Sequence, residues 1–134
     1  MILDRFGPLR SVLFLPASNA RAIEKARGLA CDMLILDLED AVKDADKDTA
    51  REAAVAAADG FGARPVTIRL NGPDTEWHAR DVAAVRGSAA TLAVLPKVES
   101  AEEAARIAGT LGKPVLAMIE TPTGLIAAAS IAAA

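Results

Sequence analysis

The chain has 134 residues, of which 52% are hydrophobic and 3% aromatic, so one soluble domain with a core of Ala, Val, Leu and Ile is expected. Its 15 basic and 18 acidic residues give a formal charge of −3 and form no basic stripe for nucleic acid. No run is long enough to span a bilayer, residues 1–5 lack the apolar run of a signal peptide, and the single cysteine excludes an internal disulfide. We therefore expect a cytoplasmic protein with no nucleic-acid or membrane partner.

Five apolar segments of strand length alternate with Ala-rich segments of helical spacing. In chain order, the predicted elements are a strand at 11–15, a helix at 19–29, a strand at 33–36, a helix at 46–58, a strand at 66–68, a helix from 75 to 87, a strand at 92–95, a helix from 100, a strand at 115–119 and a helix from 123. Near-continuous apolar strands that alternate with helices indicate a parallel sheet covered by helices.

Short polar residues mark two of the helix starts. Ser18 or Asn19 is expected to cap the first helix, whose spacing places Leu29 on the buried face. The fourth helix begins with a capping box, in which Ser100 and Glu103 satisfy each other's backbone N–H groups. These signals support the division of the chain into strand–helix units.

Strand–helix units of this kind can form an open doubly wound sheet or part of an eight-stranded barrel. Residues 15–18, after the first strand, contain no glycine-rich phosphate loop, and neither GxGxxG nor GxxxxGK[ST] occurs in the sequence. Each predicted strand instead ends in a different polar group, as in barrels where several strands contribute to one active site. We predict an α/β fold of βα units from a TIM barrel, with helices outside and small side chains inside. Residues 1–134 would form a partial catalytic domain with five of the eight strands.

The candidate site consists of polar side chains at the carboxyl ends of the predicted strands, where α/β folds build active sites. Asp37, Glu39 and Asp40 follow the second strand and Glu120 follows the fifth, and such carboxylates are the oxygen ligands that magnesium prefers. Arg69 ends the third strand, where a guanidinium can hold a carboxylate with two parallel hydrogen bonds. This set suits a small oxoacid, held by its carboxylate while a metal ion polarises its oxygen.

Arg69 and Glu120 have no partner nearby in the sequence, so both are expected to face one cavity. Replacing Arg69 with Ala in the full-length protein is accordingly expected to remove most of the turnover with little change in thermal stability. Asn71 can orient a hydroxyl or carbonyl oxygen, and Lys97 either balances the carboxylates or contacts an anionic substrate. A structural role stays open for the acids after the second strand. Glu39 or Asp40 can pair with Lys47 or Arg51.

Six ordered motifs extend over essentially the whole chain. They are RSVLFLPASNAR at 10–21, ILDLEDAV at 35–42, Lys47 with Ala50 and Arg51, IRLNG at 68–72 followed by DTEW at 74–77, LPKVES at 95–100, and MIETPTGL at 118–125. This series is similar to the superfamily of citrate lyase beta subunits and malyl-CoA lyases. The resemblance implies a magnesium-dependent CoA ester lyase on a TIM barrel, which cleaves a 3-hydroxyacyl-CoA such as citryl-, malyl- or citramalyl-CoA to an oxoacid and an acyl-CoA.

The resemblance also implies roles for individual residues. Glu120 matches the first of two magnesium ligands, Arg69 matches the residue that binds the oxoacid carboxylate, and the segment around Arg10 matches one near the CoA nucleotide. The predicted assignment is catalytic for Arg69, Asp37 and Glu39, substrate-binding for Arg69, Asn71, Lys97 and Arg10, and metal-binding for Glu120. The family further implies a homo-oligomer, trimeric or hexameric.

Two other interpretations stay open from the residues. A class II pyruvate-type aldolase that works without CoA shares this mechanism, although the motifs at 37–40 and 96–100 look like the lyase versions. A non-catalytic half-barrel fragment is the second. For an arc of five strands, unpaired edges and an uncovered apolar face predict that the isolated chain is insoluble, molten or associated with another copy.

Overall fold

The structure is a computed structural model that describes residue 4 and residues 6–134, so most of the N-terminal segment assessed for a signal peptide lies outside the described residues. Its strands are β1 (Val12–Pro16), β2 (Met33–Asp37), β3 (Val66–Arg69), β4 (Leu92–Leu95) and β5 (Val115–Ala117). Its α-helices are α1 (Ala20–Ala26), α2 (Lys47–Ala57), α3 (His78–Arg86), α4 (Ala101–Leu111) and α5 (Pro122–Ala133), and a short 3-10 helix (Asp44–Asp46) precedes α2. Among the described helices, none is long and apolar enough to cross a membrane.

The five strands form one sheet in the order β1-β2-β3-β4-β5, and every neighbouring pair is parallel. This confirms the predicted α/β class and the sequential order. The register places Pro16 opposite Asp37, Asp37 opposite Arg69, and Arg69 opposite Val94. Because the strands are parallel, the polar residues that follow them meet at one edge of the sheet. The barrel itself stays a prediction.

The helices pack on one face of this sheet. Alternate strand residues, such as Leu36 and Ile68, join a core cluster to which all five α-helices contribute. The opposite face carries Met33, Ile35 and Val94, which form a second cluster without any residue from the described helices. The predicted helix placement is therefore confirmed, whereas the prediction of small side chains on the other face is wrong. Side chains of the strands fill the space on that face, since all the described α-helices pack on the other.

Helix boundaries follow the local capping residues. Asn19 caps α1 by accepting a hydrogen bond from Ala22 N–H at 3.0 Å, and Ser100 caps α4 by accepting one from Glu103 N–H at 3.3 Å. The helix α1 is shorter than predicted because the chain turns at 27–29, which leaves Leu29 43% exposed rather than buried. The helix α5 begins at Pro122, one residue earlier than expected. Thr121 caps it by accepting a hydrogen bond from Gly124 N–H.

Candidate active site

An ion pair between Asp37 and Arg69 lies at the carboxyl edge of the sheet. Arg69 donates from Nε to Asp37 Oδ1 at 2.7 Å and from Nη2 to Oδ2 at 2.6 Å, and the two residues are 8% and 1% exposed. Asp37 also accepts hydrogen bonds from the backbone N–H groups of Glu39 and Ala41. Burial opposes ionisation of Asp37, but the hydrogen bonds from Arg69 and Glu39 outweigh it and lower the pKa of the carboxyl below its ordinary value of 3.8.

Arg69 thus has a partner within the protein, although none lies nearby in the sequence. The sequence does not reveal this pairing because it depends on strand register. Asp37 lies 32 positions from Arg69 in the sequence and directly opposite it in the sheet. Asp37 occupies two of the five guanidinium N–H groups, and Glu39 Oε2 lies 3.1 Å from Nη1. The ring of Phe14 lies 5.4 Å from the guanidinium carbon. Donors on Nη1 and Nη2 are left for a ligand on the face that no described helix covers.

Glu39, Lys97 and Glu120 continue this set of charges along the edge. Lys97 Nζ contacts Glu39 Oε1 at 2.7 Å and Asp40 Oδ1 at 3.8 Å, and the Lys97 backbone N–H donates to Glu120 Oε1 at 2.8 Å. The hydrogen bond with Glu39 raises the pKa of the Lys97 ammonium. Lys97 has a φ of 49°, a left-handed conformation that is uncommon outside glycine. We call these five residues the carboxylate–cation network: Asp37, Arg69, Glu39, Lys97 and Glu120.

Asn71 lines this side of the sheet but hydrogen-bonds to residues outside the network. Its Oδ1 accepts a hydrogen bond from Lys47 Nζ at 2.7 Å, and its Nδ2 donates to Asp81 Oδ2 at 2.7 Å, so both side-chain polar atoms are engaged within the protein. Arg51 Nε donates to Asp81 Oδ1 at 2.7 Å. The carboxylate of Glu39 thus pairs with Arg69 and Lys97 rather than with a cation of α2.

Arg10 lies at the opposite edge of the sheet. It precedes β1, and the N–H groups of Arg10 and Ser11 both donate to Asp32 Oδ2 at 2.8 Å, just before the start of β2. The length of β1, about 3.3 Å for each residue, separates this amino edge from the carboxylate–cation network. The structure thus separates Arg10 from the other residues predicted to bind substrate, and its predicted role near the CoA nucleotide stays a prediction. A motif position cannot reveal which end of a strand a residue occupies until the strand boundaries are known.

An open cavity of about 630 Å³ lies beside the network, between the loops that follow β2, β3, β4 and β5. Glu39 and Lys97 line it together with Trp77, but neither Arg69 nor Glu120 does. The expectation that Arg69 and Glu120 face one cavity therefore stays a prediction. They are linked instead through the side chain of Glu39 and the side chain and backbone of Lys97.

The fit of a magnesium ion can be judged from the donors present. Among the described residues, no group of three or more His, Cys, Asp or Glu side chains is arranged to hold a metal ion. Glu120 is exposed, and its Oε1 is oriented by the Lys97 N–H group. Because magnesium requires near-octahedral oxygen coordination, one such carboxylate suits a single ligand position and not a complete protein site.

Residues 10–134 match the family described as HpcH/HpaI aldolase/citrate lyase. The chain belongs to this family. Among its relatives, a (3S)-malyl-CoA thioesterase of Cereibacter sphaeroides (strain ATCC 17025) is 47% identical over 130 residues, covering 94% of this chain and 45% of the relative. A citrate lyase subunit beta-like protein of Mycobacterium tuberculosis is 39% identical over 122 residues, covering 91% and 42%. This HpcH/HpaI-family chain thus spans about half the length of the curated relatives that it matches.

Solved structures agree with the family and with its metal. The citrate lyase beta subunit of M. tuberculosis, complexed with oxaloacetate and magnesium, matches with a TM-score of 0.83 at 36% identity, over 97% of this chain and 56% of that chain. The CitE protein of M. tuberculosis, in complex with magnesium, acetoacetate and coenzyme A, matches with a TM-score of 0.78 at 37% identity, over 94% and 46%. Magnesium is therefore the metal found in crystals of structural relatives of this family member.

Proposed function

We propose that this chain is the N-terminal part of a magnesium-dependent carbon–carbon lyase that cleaves a short 3-hydroxyacyl-CoA to an oxoacid and an acyl-CoA. Citryl-, malyl- and citramalyl-CoA are the candidate substrates. The observation that carries the proposal is the buried Asp37–Arg69 pair, which holds a guanidinium at the carboxyl edge and leaves donors on Nη1 and Nη2. Membership in the family and its relatives' ligands support the same reading.

Arg69 would bind the carboxylate of the oxoacid portion. Asp37 contacts one side of the guanidinium, so the N–H groups that point away from it can make two parallel hydrogen bonds to a second carboxylate. Asp37 and Glu39, which were predicted as catalytic, would act through Arg69 by orienting it. Lys97 is 54% exposed at its side chain and would add a positive charge for an anionic group of the substrate.

Cleavage breaks the bond between carbons 2 and 3 of the hydroxyacyl group. The hydroxyl proton leaves to a base, its oxygen becomes the carbonyl of the oxoacid, and the electron pair passes to the thioester as an enolate that is then protonated. A fixed guanidinium stabilises the negative charge in the transition state without reorganisation. Glu120 would provide one ligand to magnesium, which when bound polarises the oxygens of the oxoacid.

We further propose that the sheet is five strands of an eight-stranded barrel and that residues 1–134 belong to one partial catalytic domain. The sequential parallel order and the placement of all described α-helices on one face support this arrangement. A trimeric or hexameric homo-oligomer is expected from the resemblance.

A second candidate function is hydrolysis of the thioester, which the 47% identical malyl-CoA thioesterase favours. In that reaction the C–S bond breaks and water supplies the hydroxyl of the released acid. Arg69 would serve either reaction, because in both the protein binds the substrate through a carboxylate.

Product analysis separates the two functions in the protein that contains this chain. Incubation with malyl-, citramalyl- and citryl-CoA in the presence of magnesium should release an oxoacid without free CoA thiol if the protein is a lyase. A thioesterase should release free thiol and the intact hydroxyacid. Cleavage of a 4-hydroxy-2-oxoacid to pyruvate and an aldehyde, with no CoA ester present, would favour an aldolase. No product from any of the three thioesters would overturn the proposal.

A further inference from the structure

Four buried polar residues are linked in a chain of hydrogen bonds next to the carboxylate–cation network. Lys47 donates to Asn71, Asn71 donates to Asp81, and Arg51 donates to the other oxygen of Asp81, with distances of 2.7 Å for each side-chain contact. Lys47 and Arg51, at the two ends of this series, lie one turn apart on α2. We call these four residues the buried polar cluster; their exposed fractions are 5% for Lys47, 8% for Arg51, 2% for Asn71 and 0% for Asp81.

Lys47 also holds the backbone where the chain leaves β2. Its Nζ donates to the carbonyl oxygens of Leu38 and Glu39, both at 2.7 Å. Successive carbonyls of a regular strand point to opposite sides, so their convergence on one ammonium requires the chain to bend at this point. The bend directs the Glu39 side chain towards Arg69 and Lys97.

The three N–H groups of Lys47 are all committed to neutral acceptors. These acceptors are two carbonyls and the Asn71 amide, and the ring of Trp77 lies 5.2 Å from Nζ. A buried ammonium is costly unless its donors are satisfied, and a methionine would fill the same space without that cost. Asp81 fixes the amide of Asn71 by accepting from both its N–H and its Nδ2, which leaves Oδ1 facing Lys47. The buried polar cluster thus serves a geometric purpose rather than packing.

We propose that Lys47 is the positioning residue of this site: with the buried polar cluster, it fixes the bend after β2 and holds Glu39 against Arg69 and Lys97. Lys47 joins the loops that follow β2 and β3, and Arg69 lies two residues before Asn71. The geometric part of this inference is independent of the reaction. Its effect on turnover rests on the proposed function.

Hydrogen exchange measured on the full protein tests the geometric part. Lys47→Ala should speed exchange of the Glu39 and Ala41 amides, which donate to Asp37, by about tenfold or more relative to the other strands. The matched control is Arg64→Ala, because Arg64 also donates to backbone carbonyls, those of Leu29 and Arg27 among them, but at the amino edge. The control should speed exchange around 26–31 and leave 38–41 unchanged.

Steady-state kinetics test the functional part. Lys47→Ala should lower kcat by about a hundredfold, as expected for misplaced catalytic groups, while KM for the CoA ester changes little. Lys47 lines the open cavity, so propylammonium can reach the space left by the substitution and should restore part of kcat. Arg64→Ala should keep the wild-type kcat and show no response to the amine.

The outcomes separate the two claims. Unchanged exchange at 38–41, or a uniform rise along the chain, would overturn the positioning role even if turnover falls. If Lys47→Ala does not fold, Asn71→Ala removes one acceptor of Lys47 and should give the same localised exchange, and its absence there would overturn the role. A wild-type protein without turnover on any CoA ester would contradict the proposed function alone.

Discussion

Arg69 neutralises a buried carboxylate and still keeps donors for a ligand. Both properties come from the planar guanidinium, which meets Asp37 along one side and leaves N–H groups pointing elsewhere. A lysine at this position would offer a point charge and no second directed pair of donors. The Asp37 contact raises the pKa of Arg69 further, so the positive charge is permanent under all ordinary conditions.

Removing Arg69 should therefore affect stability as well as turnover. Arg69→Met leaves the Asp37 carboxylate buried and unpaired, and we expect a loss of about 3 kcal/mol in the free energy of unfolding. The double variant Asp37→Leu with Arg69→Met removes both charges and should recover most of that loss while turnover stays absent. Urea unfolding of wild type and variants measures both effects. Equal losses in the single and double variants would contradict the pairing.

Acid should weaken the fold through Asp37. The pKa of Asp37 in the folded protein lies below the ordinary 3.8, so at acid pH the unfolded chain binds a proton at Asp37 before the folded protein does. The contribution of Asp37 to the free energy of unfolding is therefore fully present above pH about 4 and declines as the pH falls towards the lowered pKa. We expect Asp37→Asn to flatten the decrease in unfolding free energy below pH about 4. The control is Asp59→Asn at an exposed carboxyl. An acid limb identical in wild type and Asp37→Asn would contradict the assignment.

Helices α4 and α5 each contain one glycine, and their surroundings differ. A Cβ at Gly109 in α4 would meet no atom within 4 Å. A Cβ at Gly124 in the first turn of α5 would collide with the carbonyl oxygen of Val98, directly after Lys97. The close approach of α5 to the loop after β4 thus depends on the missing side chain. The same loop carries Lys97, whose N–H group donates to Glu120.

Substitution of these two glycines should have opposite effects. Gly109→Ala should raise the free energy of unfolding by about 0.5–1 kcal/mol, because alanine is the better helix former and nothing obstructs it. Gly124→Ala should lower it, since α5 or the Val98 loop must move, and should also reduce turnover. Thermal unfolding of the two variants side by side is the measurement. A stabilising Gly124→Ala would show that α5 does not approach the loop closely.

At the scale of the whole molecule, the sheet is covered on one side only. All the described α-helices pack on one face, and the strands β1 and β5 form the two edges. Val12 and Phe14 on the other face are 42% and 45% exposed, and Leu125 and Ile126 on α5 are 70% and 88% exposed. Exposed apolar side chains beside unpaired strand edges favour association.

The 134-residue chain by itself should therefore self-associate. Size-exclusion chromatography with light scattering should detect species larger than a monomer, and Val12→Lys on the open face should shift them towards smaller sizes. Leu125→Lys on α5 tests the second surface separately. A monomer that unfolds cooperatively would contradict this expectation and, with it, the proposed barrel.

Magnesium should bind this chain weakly. Glu120 gives one carboxylate, and magnesium is rarely held by one without further ligands. Calorimetric titration with magnesium chloride is the measurement, and Glu120→Gln is the control. Tight binding that survives Glu120→Gln would show that other carboxylates, those of Asp37 or Glu39, form the site.

Local patterns in the sequence were sufficient to predict the strands and helices and their order along the chain. Apolar runs at 33–36 and 92–95 become buried strands, and Asn19 and Ser100 cap helices as predicted, because each depends on neighbours within a few residues. The polar residues after the strands were located for the same reason, since a parallel sheet brings its carboxyl ends to one edge.

The tertiary structure decided which residues pair and at which edge of the sheet each of them lies. The sequence contains no sign that Arg69 lies opposite Asp37, that Lys47 supports two carbonyls and Asn71, or that Arg10 lies at the far edge. Each depends on strand register or on where a strand begins, and a shift of one residue would send the side chain to the other face. Composition and spacing thus determined which groups meet at the edge, while register and packing determined which of them pair.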